Sequence, residues 1–124
     1  MRNLVIHSLL HPSSLGNRLK AIGYEEKLRD PAVKQALIVS MLHDQSIPVR
    51  LKAQSILSSY ALDPELQTAF LDVLRADQSV QMRLQAMDYL VGSKVSPESM
   101  KEVLGELESR GDRAVLLKAS RYVQ

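Results

Sequence analysis

A four-residue motif returns along this 124-residue chain at a nearly constant step. It reads Arg18-Leu19-Lys20-Ala21, Arg50-Leu51-Lys52-Ala53, Arg83-Leu84-Gln85-Ala86 and Leu116-Leu117-Lys118-Ala119, with steps of 32, 33 and 33 residues. A second motif keeps time with it: Asp30-Pro31, Asp63-Pro64 and Ser96-Pro97 stand 33 residues apart. A period of this size is the signature of a solenoid, in which small supersecondary units bury their apolar faces only by stacking on one another. It constrains architecture more tightly than function, because such stacks serve mostly as surfaces for partners.

Each period reads as two helices. Asp30-Pro31 is a helix start, since Asp accepts from free amides and Pro suits the first turn. Val33, Leu37, Ile38, Met41 and Leu42 then follow at helical spacing. Ser46-Ile47-Pro48 ends that helix and begins a second, whose apolar stripe is Val49, Ala53, Ile56, Leu57 and Tyr60. The next period repeats the design with Leu66, Phe70, Leu71 and Leu74, then Met82, Ala86, Tyr89 and Leu90. The last runs through Met100, Val103, Leu104 and Leu107, then Val115, Ala119 and Tyr122, with Gly111 in a turn where the others carry Gln45 or Gln78.

The segment from Leu10 to Ala21 aligns with Leu42 to Ala53, which leaves only Met1 to Leu10 for a first helix. The chain therefore begins inside a repeat or with a short cap. The expected domain is a single one over residues 1–124: a partial repeat 1–29, then repeats 30–62, 63–95 and 96–124. The expected fold class is all-α, a right-handed α-solenoid of helical hairpins with about three and a half repeats and eight helices.

The pattern resembles the HEAT-repeat family. The residues that carry the resemblance are Asp44 with Val49-Arg50 and Asp77 with Met82-Arg83. In that family a turn Asp and an Arg at the start of the second helix form a hydrogen-bonded ladder between neighbouring units. The resemblance thus implies a structural ladder of Asp44, Arg50, Asp77 and Arg83. A planar guanidinium suits the role because it can bridge a carboxylate and turn carbonyls at once. The ends depart from the pattern: Pro12 stands where Asp44 falls, and Arg110 and Leu116 occupy the last Asp and Arg positions. The Arg-Leu-Lys-Ala wording also resembles HEAT modules at the C-terminal end of some bacterial zinc-finger anti-sigma factors. The zinc-binding domain of those proteins has no counterpart here, and no sigma-binding residue carries over.

Composition narrows function by exclusion. Lys and Arg number 16 against 14 Asp and Glu, a net charge of +2, which is too balanced for a typical non-specific nucleic-acid binder. The end of the chain is locally basic, where Arg110, Arg113, Lys118 and Arg121 face only Asp112. The absence of cysteine removes disulfides, thiolate catalysis and cysteine-based zinc sites. No apolar run approaches the roughly 18 residues of a membrane span. Met1 to Leu10 is too short, and too interrupted by Asn3, His7 and Ser8, for a signal peptide, so the expected compartment is the cytoplasm.

The candidate binding face lies two and five positions after the Arg slot. Lys20, Lys52, Gln85 and Lys118, with Gly23, Ser55, Asp88 and Arg121, point away from the apolar stripe and line the face of the second helices. In HEAT-like stacks that face is concave. The expected partner-binding residues are Lys20, Lys52, Ser55, Gln85, Asp88, Lys118 and Arg121, with a solvated helix face as the plain structural reading. Gln85 and Asp88 interrupt any continuous track for phosphates.

Other candidates read as structure. Tyr24, Tyr89 and Tyr122 occupy equivalent positions, and Ile56 in the fourth argues that the rings fill core rather than stack bases. His7 and His11 are four apart, with His43 the repeat counterpart of His11, but no acid or cysteine completes a metal set. Ser13, Ser14, Ser58 and Ser59 lack a histidine and acid in any nucleophile arrangement, and no glycine-rich phosphate loop occurs. The expectation is a non-enzymatic scaffold without metal or cofactor, a regulatory module of a larger bacterial protein that binds a protein partner. The alternative is nucleic-acid binding through a basic concave face. A further expectation is end-to-end dimerisation through Leu116 and Leu117 or Leu4 and Val5, since uncapped stacks associate.

Overall fold

A computed structural model of the chain describes residues 31–93 and 95–120. The described residues are all-α: α1 (Pro31–His43), α2 (Ile47–Leu57), α3 (Pro64–Ala76), α4 (Val80–Gly92), α5 (Pro97–Arg110) and α6 (Arg113–Ser120). The expected helices before Asp30 lie outside the described residues. The chain divides into two compact units at Tyr60–Ala61.

The first unit contains the hairpin of α1 on α2. Its core is Val33, Ala36, Leu37, Ile38 and Met41 from α1 against Val49, Ala53, Ile56 and Leu57 from α2. The turn is built by Asp44, whose Oδ1 accepts from the Ser46 N–H at 2.8 Å. Such a side-chain turn competes with helix and stops α1 there. Pro48 then supplies the fixed φ of a helical first turn. Helix α2 ends at Leu57, one turn earlier than the apolar stripe suggests. Ser58 and Ser59 donate their hydroxyls to the Ser55 and Ile56 carbonyls at 2.7 Å, satisfying helix-end carbonyls and closing the helix. Tyr60 therefore lies beyond the helix, half-buried, with the Lys34 ammonium 5.8 Å from its ring centre.

The second unit holds two hairpins, α3 with α4 and α5 with α6. Side-chain caps mark their starts. Asp63 Oδ1 accepts from the Leu66 N–H at 2.8 Å, Ser79 Oγ from Met82 at 3.3 Å, and Ser96 Oγ from Ser99 at 3.3 Å. Helix α5 ends on Gly111 at φ 72°, with the Gly111 N–H bonded to the Glu108 carbonyl and the Asp112 N–H to the Leu107 carbonyl, both at 3.0 Å. This is a Schellman closure, which needs a left-handed residue and so favours glycine. First helix packs on first, α3 on α5, and second on second, α4 on α6. Phe70 is the largest fully buried side chain, its ring centre 4.2 Å from that of half-buried Tyr89. That contact sets the Tyr89 ring against the core. Val73 and Met87, absent from the sequence stripes, are also buried.

Candidate partner-binding face and the Asp–Arg clamps

The two Asp–Arg motifs build the same local clamp. Arg50 Nη1 donates to the Asp44 carbonyl at 2.9 Å, and Arg83 Nη1 donates to the Asp77 carbonyl at 2.7 Å. Asp77 Oδ1 accepts from the Ser79 N–H at 2.8 Å, as Asp44 does from Ser46. Each aspartate thus shapes its turn with the carboxylate and offers its carbonyl to the arginine six residues on. A cation in the first turn of a helix opposes the helix dipole, and binding to turn carbonyls offsets that cost.

Arg83 has a second bond that spans hairpins. Its Nε donates to Asp112 Oδ2 at 2.7 Å, and its Nη2 reaches Oδ1 at 3.4 Å. The two side chains are only 14% and 12% exposed, so the pair is shielded from water far better than a surface ion pair. Arg110 stands in the last turn-aspartate position, and the acid that meets Arg83 comes from a different slot. Asp112 stands 33 residues after Ser79, in the slot before the second helix, and its longer side chain reaches back to Arg83. An acid in a serine slot was the signal available. Spacing does not mark it as the partner of Arg83, because the contact joins residues 29 apart on different hairpins.

The predicted binding residues are distributed unevenly. In the first unit Lys52 and Ser55 are exposed on α2. In the second, Gln85 is half-buried, while Lys118 Nζ meets Asp88 Oδ2 at 2.7 Å. Two residues read as a row for a partner therefore hold each other, tying α4 to α6. Arg75 does the same between the first helices, donating from Nε to Glu106 Oε2 at 2.8 Å. Lys20 and Arg121 lie outside the described residues, as do His7, His11, Tyr24 and Tyr122.

Among the described residues no three His, Cys, Asp or Glu side chains are grouped to hold a metal ion, and no helix is long and apolar enough to cross a membrane. No protein-family model, no curated protein and no solved structure matches the chain.

Proposed function

We propose that this chain is a non-enzymatic, HEAT-like repeat scaffold that binds a protein partner through the face of its second helices. The observation that carries the reading is the recurrence of one hairpin design. First helices begin at Pro31, Pro64 and Pro97, second helices at Ile47, Val80 and Arg113, and the Asp–Arg clamp is rebuilt residue for residue at Asp44–Arg50 and Asp77–Arg83. Stacking of like helix on like helix in the second unit is in keeping with a solenoid. Lys52 and Ser55 are the residues to meet the partner in the first unit; in the second the face offers Gln85 and the mutually paired Asp88 and Lys118. The same reading takes the chain as a cytoplasmic regulatory module of a larger bacterial protein.

Nucleic-acid binding is the competing reading. The Lys118–Asp88 pair speaks against it, because it neutralises one cation of the row. The test is capture by the tagged chain from native lysate at low and high salt, with and without nuclease. Lys52→Glu and Ser55→Arg variants run in parallel. A discrete protein that survives nuclease and is lost with both variants supports the scaffold reading. Capture that disappears with nuclease or modest salt replaces it with nucleic-acid binding. A protein retained by both variants places the binding face elsewhere.

A further inference from the structure

Three ion pairs cross the joint between the hairpins of the second unit. Arg75 meets Glu106 at 2.8 Å, Arg83 meets Asp112 at 2.7 Å and Lys118 meets Asp88 at 2.7 Å. One repeat of 33 earlier, the same positions read Leu42 and Val73, Arg50 and Ser79, Ser55 and Gln85. No acid stands at any of them. The pairs therefore belong to this joint and not to the recurring hairpin design. Exposed pairs add little stability, and replacing a shielded pair whole by apolar residues is often neutral. Selecting one packing among several is the better-attested use of such contacts.

Apolar packing alone leaves the seating of α5–α6 on α3–α4 underdetermined. The buried apolar residues of α5–α6 are Val103 and Leu107 on one helix and Val115 and Ala119 on the other, one turn apart in each. Helix surfaces repeat every turn, so sliding the hairpin by one turn, about 5.4 Å, lays apolar on apolar again. The polar contacts do not survive the slide. Gln67 with Ser99 and Arg75 with Glu106 run in the same order along α3 and α5, so these two helices are parallel. Arg83 with Asp112 and Asp88 with Lys118 make α4 and α6 parallel in the same way. Within the hairpin α5 and α6 run opposite ways, so a slide shifts the two rows through their sequences in opposite senses. One direction leaves Glu102 opposite Arg75 but takes Lys118 off Asp88. The other sets Arg110 against Arg75 and Ala114 against Asp88. Either direction carries Asp112 away from Arg83 and strands a shielded charge, the largest of these penalties. We propose that the three ion pairs are a register lock, which selects one seating of α5–α6 among seatings that apolar packing leaves close in energy.

The chain has no cysteine, so two introduced cysteines can carry spin labels. Thr68→Cys on α3 and Ser109→Cys on α5 are exposed and lie toward opposite ends of these parallel helices, so their separation registers a slide. The full chain is expected to give one narrow distance. A second chain removes all three pairs whole, by Arg75→Leu with Glu106→Val, Arg83→Met with Asp112→Ser, and Asp88→Ser with Lys118→Gln. It should keep its helical circular dichroism but show a second distance, displaced by up to about 5 Å. Returning Arg83 and Asp112 alone should lower the displaced-to-native ratio at least about tenfold, the scale of one charge-assisted hydrogen bond. A pair-free chain that keeps the single distance overturns the proposal, since apolar packing then sets the register. Loss of helix in the pair-free chain overturns it as well, by making the pairs stabilising and not selective. So does a second distance that persists when Arg83 and Asp112 return, or one already present in the chain with all three pairs intact.

Discussion

Asp112 immediately precedes α6, yet its carboxylate turns back to the Arg83 guanidinium of the preceding hairpin, Oδ2 to Nε at 2.7 Å. Arg83 in turn holds the Asp77 carbonyl at 2.7 Å, so one side chain joins two successive turns. Removing either partner leaves a shielded charge unmet. Arg83→Met and Asp112→Asn should each lower stability by about 2 kcal/mol, the scale of hydrogen bonds to charged groups. The double variant should cost less than the sum of the two, because the second substitution removes the charge that the first stranded. Urea unfolding of the four proteins measures the coupling. Strict additivity would show that the contact carries no energy.

The glycines of α5 and its turn should respond in opposite directions. Gly105 is mid-helix and exposed, and an added methyl there meets nothing within 4 Å. Gly105→Ala should stabilise by about 1 kcal/mol through helix propensity. Gly111 also has open space around it, but its φ of 72° is left-handed. Gly111→Ala should destabilise by about 1 kcal/mol, and Gly111→Asn by less, because Asn tolerates that region. Thermal melts of the three variants give the sign directly.

Ser40 is buried in α1, and its Oγ has no hydrogen-bond partner among the described residues. Ser40→Ala keeps the backbone and removes an unsatisfied hydroxyl, so a gain of about 1 kcal/mol is expected. A loss of similar size in chemical denaturation would mean that the hydroxyl is paired in solution.

Phe70 fills the centre of the second unit beneath Tyr89. Phe70→Ala should cost about 3 to 5 kcal/mol, the usual range for emptying a buried aromatic site. Tyr89→Phe should be far milder, because the ring contact with Phe70 survives. A Phe70→Ala chain that melts like the wild type would place the core elsewhere.

Local chemistry was readable from residue order because it acts over a few residues. The Pro-led starts at Pro31, Pro64 and Pro97, the capping Asp63 and Ser96, and most of the apolar stripes all appear where periodicity put them. The end of α2 was not readable. Tyr60 continues the helical spacing, but the hydroxyls of Ser58 and Ser59 cap the preceding carbonyls and end the helix sooner.

The candidate face divides in the same way. Sequence alone determined that the described residues are helical, where the Pro-led helices start and which apolar residues face their cores. All of these follow from spacing along one chain. Only the tertiary structure decided that Lys118 and Asp88 hold each other and that Asp112 supplies the acid for Arg83. Those partners sit about thirty residues apart, and whether they meet depends on how one hairpin seats on the next, which helical periodicity does not encode.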